Sequence, residues 1–237
     1  MKTIALIPAR GGSKNVTKKN IRLLNGIPLI AHSIRIALSN EKIDTTYVTT
    51  DSEEIAEIAL KYGAEVPFLR PDELAEDTTP DRPVILHALD WLHKNKGINP
   101  DRVAFLRPTS PLRTQFILNG CIDTIIKNSN FTSLRTVNHA SGVNHPYWMF
   151  KRNGNILEPF IDNIDLTKYY QRQLLPECLK LNGVVDILRP DVITNHTNMF
   201  GNKIVFFEID EMNAIDIDSE LELSFAEYLL KENKIPF

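Results

Sequence analysis

The amino-acid sequence predicts an α/β fold built on a doubly wound, mostly parallel sheet. Over the first 137 residues, short apolar runs alternate with segments of helical periodicity, which is typical of βαβ units. The first run, Ile4 to Ile7, is apolar at every position, as expected for a strand that is buried on both faces. Hydrophobic residues make up 43% of the chain and charged residues 24%, as in an ordinary globular protein. We therefore expect a single domain over residues 1–237.

Apolar periodicity, turn residues and capping residues divide the chain into elements. Ser52 and either Asp218 or Ser219 precede segments of helical spacing and are typical helix caps. Pro28 marks the start of one helix and Gly63 the end of another. The expected helices cover 29–38, 53–62, 84–92, 114–126 and 220–230. The expected strands cover 4–7, 45–50, 102–106, 181–188 and 203–209, and 66–69 is expected to be a further extended piece.

Residues 138–180 differ in character from the rest of the chain. They are rich in Asn, Tyr, Pro and Trp and include the aromatic cluster Tyr147-Trp148-Met149-Phe150. Aromatic residues and methionine are enriched at the cores of protein interfaces, and in a monomer they would form a costly exposed apolar patch. We expect this segment to be an insertion that leaves the main sheet and serves as the dimerisation arm of a homodimer.

A glycine-containing basic loop follows the first strand. Arg10, Lys14 and Lys19 supply positive charge, and Gly11 and Gly12 let the backbone approach a ligand closely. At the carboxyl end of a parallel strand, such a loop is a place where phosphates bind. The alternative is a solvated basic turn. The loop has neither the P-loop spacing nor the Gly-x-Gly-x-x-Gly pattern, so we expect it to bind phosphate by a scheme of its own.

Positive charge is concentrated near the amino terminus. Residues 1–40 contain seven Lys and Arg and no acidic residue, whereas the remaining 197 residues carry 20 basic against 30 acidic side chains. This distribution suits a small polyanion better than a nucleic acid, which needs a wider basic face. No apolar run approaches the roughly 20 residues of a membrane helix, and Cys121 and Cys178 have no metal-site or disulfide spacing. We expect a soluble, cytoplasmic protein with no nucleic-acid or membrane partner.

Two aspartates occupy alternate positions in Ile215-Asp216-Ile217-Asp218. In an extended segment both carboxylates project to one face, and two like charges side by side favour a cation between them, for which Mg²⁺ is a natural choice. The equally weighted alternative is that one Asp caps a helix and the other is solvated. The six histidines show no ligand spacing, and no nucleophile–base pattern indicates covalent catalysis.

Several motifs in a fixed order, spread over nearly the whole chain, closely resemble those of the acylneuraminate cytidylyltransferases, also called CMP-sialic acid synthetases. The motifs are Ile7-Pro8-Ala9-Arg10-Gly11-Gly12-Ser13-Lys14 with Lys19-Asn20, Thr50-Asp51-Ser52, Phe68-Leu69-Arg70-Pro71 with Leu74-Ala75 and Asp77, Pro108-Thr109-Ser110-Pro111-Leu112-Arg113, Arg172-Gln173 with Leu175-Pro176, Asn182-Gly183, and Ile215-Asp216-Ile217-Asp218.

The resemblance implies the Rossmann-like nucleotidyltransferase fold and a CTP-dependent reaction. In this reaction CTP and a nine-carbon 2-keto sugar acid give the CMP-sugar and pyrophosphate, with Mg²⁺. The residues carried over from the family fall into three groups, for CTP, for the metal and for the sugar acid. The expected catalytic residues among them are Arg10, Lys19, Asp216 and Asp218. The groups are Arg10, Gly12, Ser13, Lys14, Lys19 and Asn20, with Arg70 and Thr79 of the loop that closes over cytosine, for CTP; Asp216 and Asp218 for the metal; and Arg107, Arg172, Gln173 and Asn182 for the sugar acid.

Arg107 departs from the family pattern, because many sialic acid enzymes of the family have glutamine at this position. An arginine adds a planar, permanently charged donor to the sugar end of the site. It either contacts the substrate carboxylate or forms a structural salt bridge to a nearby acid. A legionaminic, pseudaminic or Kdo-type sugar acid therefore remains an alternative substrate, and a nucleotide-binding protein without turnover is the alternative of a different class.

Overall fold

The computed structural model describes residues 1–12, 16–127 and 130–232, and a six-stranded sheet forms its centre. The expected doubly wound, mostly parallel α/β fold is confirmed. The strands are β1 (Thr3–Pro8), β2 (Leu23–Leu24), β3 (Ile27–Pro28), β4 (Thr45–Thr49), β5 (Arg102–Phe105), β6 (Ser133–His139), β7 (Phe150–Asn153), β8 (Ile156–Pro159), β9 (Leu179–Leu188) and β10 (Ile204–Glu208). The α-helices are α1 (Leu29–Leu38), α2 (Glu53–Lys61), α3 (Asp81–Lys96), α4 (Gln115–Ile126), α5 (Pro190–Asn195) and α6 (Glu220–Lys231).

The order of strands in the main sheet is β10-β6-β9-β5-β1-β4. β1 pairs in parallel with both β4 and β5, and β10 pairs in parallel with β6. Among the described strands of this sheet, β9 alone runs antiparallel to its neighbours. From β1 the chain first adds β4 on one side and then β5 on the other, so the direction of winding reverses at β1 and β5. Open α/β sheets bind their ligands at the carboxyl ends of the strands at such a point.

Helices cover both faces of the sheet, and β1 is buried between them. Ala5 and Ile7 pack in a cluster with residues of α1, α2 and α4, whereas Ile4 and Leu6 pack with residues of α3 and α5. All four side chains are fully buried, which explains why the sequence of this strand is apolar at every position. The α6 helix packs separately, against a third cluster that includes Ile217.

Local capping fixes the helix ends as the sequence predicted. The Ser52 side chain accepts a hydrogen bond from the backbone N–H of Ile55, and Ser219 forms a capping box with Glu222. The segment 66–69, expected to be extended, forms no regular strand, but Leu69 makes an isolated parallel bridge with Thr50, next to the bridge between Glu65 and Tyr47. The third helix is longer than the 84–92 expected, since its charged ends carry no apolar periodicity. No helix in the described part of the chain is long and apolar enough to cross a membrane.

The segment between β6 and β9, residues 140–178, is here called the arm. It contains the antiparallel hairpin β7–β8 and short 3₁₀ turns. Trp148 donates a hydrogen bond from Nε1 to the carbonyl of Tyr169 over 2.6 Å, while Tyr147 packs edge-to-face on the Tyr169 ring. These two aromatic residues thus hold the arm together, whereas Met149 and Phe150 beside them are exposed. The most exposed apolar side chains of the arm, all more than 60% exposed, are Val143, Ile156, Leu157, Phe160 and Tyr170.

Candidate active site

A cleft of about 430 Å³ opens at the carboxyl ends of β1 and β5. It therefore lies at the reversal point of the sheet, where the fold predicts a ligand. Most of the side chains that line it are charged or polar. The lining residues are Pro8, Arg10, Lys19, Asn20, Arg70, Leu74, Glu76, Asp77, Thr79, Asp81, Val84, Arg107, Pro108, Thr109 and Asp218.

The basic loop is fixed to the carboxyl end of β4 by backbone contacts. Gly11 donates its N–H to Oδ1 of Asp51 over 2.9 Å, and the Asn20 side chain donates to the carbonyl of Arg10 over 2.9 Å. A Cβ atom at Gly11 would lie 3.1 Å from Cβ of Ser52, so glycine allows this close approach. Gly12 is exposed at the end of this stretch. The predicted contacts of Ser13 and Lys14 fall outside the described residues.

Two cations of the cleft are bound to carboxylates. Arg10 forms an ion pair with Asp77 of the 70–80 loop, and Lys19 Nζ lies 2.8 Å from Oδ1 of Asp218. Lys18, with φ of 53°, turns the chain immediately before Lys19. Both ion pairs join segments that are far apart in sequence, and both cations border the same cavity. Each ion pair therefore places a cation and a carboxylate together at the wall of the cavity.

Asp216 and Asp218 flank the buried Ile217 and are themselves exposed. No strand is assigned to this segment, but the exposed–buried–exposed pattern directs both carboxylates to one side. Ile217 donates its N–H to the carbonyl of Thr109 over 2.8 Å, which ties the segment to the cleft wall. Although part of Asp216 meets solvent, the surrounding protein excludes enough water to raise its pKa; a hydrogen bond from Thr109 opposes this rise, and the Asp218 charge adds to it.

The chemistry of this carboxylate pair fits Mg²⁺. A cation would relieve the repulsion that contributes to the raised pKa of Asp216. Within the described ranges, no group of three or more His, Cys, Asp or Glu side chains is arranged to hold a metal ion alone. The remaining ligands of a cation here would come from substrate phosphates and water, which is the usual coordination of Mg²⁺ in nucleotide enzymes.

Arg70 is buried behind the 70–80 loop and supports its backbone. Its guanidinium donates to the carbonyl of Leu74 over 3.2 Å and to the carbonyl of Thr49 over 2.6 Å. Burial lowers the pKa of Arg70, with the Arg10 charge contributing to the same shift. Thr79 lies on the same loop and borders the cavity. Arg70 thus connects the loop to the carboxyl end of β4, which sets one wall of the cleft.

Arg107 also borders the cavity and is held by two carboxylates. Its Nη1 is 2.8 Å from Oδ2 of Asp186, and its Nη2 is 2.6 Å from Oδ2 of Asp81. Burial by itself lowers the pKa of Arg107, but the two carboxylates outweigh it and raise the pKa above its ordinary value. Asp186 is fully buried and also pairs with Nε of Arg135 over 3.0 Å. The sequence left open whether Arg107 contacts substrate or forms a salt bridge; here it forms salt bridges while bordering the cavity.

Arg113 holds the backbone of Arg107 from behind. It is buried, and its guanidinium donates to the carbonyls of Val184 and Arg107 over 2.6 and 3.2 Å and to Oγ of Ser33 over 3.1 Å. Burial in these neutral surroundings, with the nearby Arg107 charge, lowers the pKa of Arg113 to about 9. This arginine therefore fixes the start of the 107–113 loop, which also carries Thr109.

Three predicted sugar residues lie outside the cleft of this chain. Arg172 and Gln173 belong to a short 3₁₀ turn of the arm, where Arg172 contacts Oγ of Ser141 over 3.3 Å. Asn182 donates to Oδ1 of Asn138 over 3.2 Å. It precedes Gly183, whose carbonyl accepts a hydrogen bond from Arg107. The fold thus brings Asn182 near the wall of the cleft and leaves Arg172 and Gln173 on the arm.

The sequence-based site did not include Asp77, Asp81 and Thr109, which line the cleft, or Asp186, which is buried beside Arg107. Asp186 had a detectable signal, because a single carboxylate interrupts an otherwise apolar strand from Val184 to Leu188, and buried charges are almost always paired. Asp77 and Thr109 belong to the motifs that resemble the family, whereas Asp81 lies in a polar stretch where no spacing separates it from its neighbours. Their roles depend on which distant segment each one meets.

The cleft lies at the reversal point of a mostly parallel sheet and is lined by charged side chains of both signs, as in ligand-binding α/β proteins. Residues 4–176 match the model of the family described as cytidylyltransferase. The chain therefore belongs to the cytidylyltransferase family, and the predictions of the family and of a CTP-dependent enzyme are confirmed.

Relatives support this assignment over nearly the full length of the chain. A post-translational flagellin modification protein B from Campylobacter coli is 33% identical over 98% of this chain and 96% of its own length. A CMP-N,N'-diacetyllegionaminic acid synthase from Legionella pneumophila is 33% identical over 99% of this chain and 98% of its own. A solved CMP:2-keto-3-deoxy-manno-octonic acid synthetase in complex with CTP superposes with a TM-score of 0.73, covering 98% of this chain and 100% of its own at 16% identity. That likeness shows a shared fold.

Proposed function

We propose that this enzyme transfers CMP from CTP to the anomeric hydroxyl of a nonulosonic acid and releases pyrophosphate. The observation that carries the proposal is the meeting of Arg10, Lys19 and Asp218 in one cleft at the reversal point of the sheet. These residues come from the two ends of the chain, and they combine phosphate-binding cations with a carboxylate of the Asp216–Asp218 pair. The family assignment supplies CTP as the nucleotide.

In the proposed reaction the sugar hydroxyl oxygen attacks the α-phosphorus of CTP, and the bond from that phosphorus to the pyrophosphate oxygen breaks. Negative charge grows on the departing pyrophosphate, and we assign Arg10 and Lys19 to stabilise it. The polar walls orient the two substrates, which supplies a large part of the rate enhancement. Asn20, Arg70 and Thr79 complete the nucleotide side of the proposed site.

Asp216 and Asp218 are the proposed Mg²⁺ ligands. When bound, Mg²⁺ would neutralise phosphate charge during the transfer. Lys19 Nζ lies 2.8 Å from Oδ1 of Asp218, so the two residues stabilise each other. Thr109 donates a hydrogen bond to Asp216 and orients this carboxylate toward the same side.

Arg107 is proposed to contact the sugar acid, because it borders the cavity and carries a charge that suits a carboxylate. A legionaminic-type acid is the favoured alternative to a sialic acid as substrate, because the chain is similar over nearly its full length to a diacetyllegionaminic acid synthase. Pseudaminic and Kdo-type acids remain further alternatives. Nucleic acids and membranes have no part in the proposal, and a reaction that consumes CTP suits a cytoplasmic enzyme.

We also propose that the arm joins two chains into a homodimer. Ile156, Leu157 and Phe160 are each more than 60% exposed, and such apolar surface favours burial in an interface. Arg172 and Gln173 lie on the same arm and outside the cleft of their own chain. A second copy offers these two residues a route to a sugar site.

The experiment is pyrophosphate release from CTP with a panel of sialic, legionaminic, pseudaminic and Kdo-type acids. We expect release that depends on one of the nine-carbon acids, together with formation of the CMP-sugar. ATP, GTP and UTP serve as nucleotide controls. Normal CTP binding without release from any acid would instead support a nucleotide-binding protein without turnover.

A further inference from the structure

The two carboxylates that hold Arg107 differ sharply in their surroundings. Asp186 is fully buried, whereas the side chain of Asp81 is 39% exposed and borders the cavity. Asp186 also pairs with Arg135, while Asp81 is the first residue of α3. Both ion pairs therefore meet on one guanidinium, with one pair in the protein interior and the other at the wall of the cleft.

The guanidinium of Arg107 is fixed on its inner side by neutral groups as well. Nη1 donates to the carbonyl of Gly183 over 3.3 Å, and Cζ lies 4.9 Å from the centre of the Phe105 ring. Gly183 has a φ of +68°, and a Cβ there would lie 3.3 Å from Nη1. Glycine thus suits both the backbone conformation and the close approach of the arginine. The outer nitrogen, Nη2, is the one that Asp81 occupies at the cavity.

We propose that the carboxylate of the sugar acid displaces Asp81 from Nη2 of Arg107, while Asp186 remains bound and acts as the positioning residue of that arginine. This inference rests on the proposed function and assigns to the sugar site two residues, Asp81 and Asp186, that the sequence did not. Arg107 then exchanges one anion for another and remains neutralised in both states.

The surroundings decide which carboxylate exchanges. Released Asp81 stays in contact with water and at the amino-terminal end of the 16-residue helix α3, where a negative charge is favoured even without an ion pair. A released Asp186 would leave a charge buried in the protein, which is strongly unfavourable. The displacement therefore works only at Asp81, and the fixed inner contacts keep Arg107 aimed at the incoming carboxylate.

The first test compares Asp81→Asn with Glu76→Gln. Glu76 lines the same cavity and its substitution removes the same charge, so it measures the general effect of a less negative cleft. For whichever of N-acetylneuraminic, legionaminic and pseudaminic acid the wild type converts best, Asp81→Asn should lower KM by about two- to fivefold, the scale of an exposed ion pair. It should lower KM less for the neutral carboxamide of that acid.

The opposite result is equally clear. If Asp81→Asn and Glu76→Gln change KM alike, or if the acid and its carboxamide respond alike, Asp81 does not compete with the substrate carboxylate. Higher KM for the acid in Asp81→Asn would also overturn the proposal. The CTP affinities of the two variants, measured by calorimetry, should differ from each other by no more than about twofold, because each variant removes one carboxylate charge from the same cleft.

The second test addresses Asp186. Asp186→Asn should raise KM for the sugar acid more than it lowers kcat, and it should add little further loss in an Arg107→Gln background, because positioning has no effect once the arginine is gone. Fully additive losses would mean that Asp186 only stabilises the fold. If Asp186→Asn does not fold, the Asp81 comparison decides the proposal alone. If the wild type releases pyrophosphate with none of the acids, the proposed function itself is wrong. If the wild type releases pyrophosphate with one of them and only the Asp81 comparison gives the opposite result, the proposed function stands and the displacement of Asp81 is wrong.

Discussion

Lys19 offers the most direct test of the charge arrangement, because its neighbour Lys18 provides a matched control. Lys19 lines the cleft with its side chain only 18% exposed and pairs with Asp218. Lys18 pairs with Glu54 outside the lining of the cleft, and both partners are more than half exposed. Substituting each lysine with alanine removes one positive charge from adjacent positions, and the side chains removed are identical.

The magnitudes expected for the two variants differ widely. Removing one preorganised group that stabilises developing charge costs about 2–4 kcal/mol of transition-state stabilisation, so Lys19→Ala should lower kcat by about 30- to 1000-fold. An exposed ion pair such as Lys18–Glu54 is worth about 1 kcal/mol or less. Loss of the partner of Asp218 adds little, because that carboxylate is 66% exposed and remains hydrated.

The assay is steady-state pyrophosphate release at saturating sugar acid, with CTP varied to separate kcat from KM. Negative charge moves toward the leaving pyrophosphate only during the reaction, so the loss should fall mainly on kcat. Urea denaturation of both variants checks that each is folded. A change in KM for CTP with unchanged kcat, or an equal loss in Lys18→Ala, would refute the role given to Lys19.

Three further predictions concern other parts of the molecule. Asp216→Asn and Asp218→Asn should each abolish Mg²⁺-dependent turnover, and near-normal rates over a Mg²⁺ titration would exclude the substituted aspartate as a ligand. Asp216→Asn should also be slightly more stable than the wild type above the raised pKa of Asp216, and this advantage should disappear as the pH falls through that pKa. Gly120→Ala should lower the free energy of unfolding measured in urea, because the new Cβ overlaps the Phe207 ring. Overpacking costs about 1–3 kcal/mol, against roughly 1 kcal/mol gained in helix propensity. Adding Phe207→Leu should relieve the loss, whereas a Gly120→Ala variant more stable than the wild type would contradict this packing. Light scattering should give the mass of a dimer, and a mass of about 27 kDa would exclude the homodimer. Deletion of the arm (residues 140–178) should yield monomers, because it removes the exposed apolar surface.

The sequence by itself determined features that depend on neighbouring residues. The uniform apolar run from Ile4 to Ile7 specifies a strand covered on both faces, because any charge there would be buried without a partner. Ser52 and Ser219 specify helix starts, since a cap bonds only to the next few backbone groups. The alternation of such segments defined the fold class, and the motif order indicated the family.

Only the tertiary structure decided which charges meet. Lys19 and Asp218 are 199 positions apart, and Arg107 and Asp186 are 79 apart. These pairs form because the order of strands brings the ends of β1 and β5 together with β9 and the segment before α6. The placement of a strand in the sheet depends on the packing of the whole chain rather than on local patterns. For that reason the sequence left two possible roles open for Arg107, and only the fold showed that Asp81 and Asp186 form ion pairs with it.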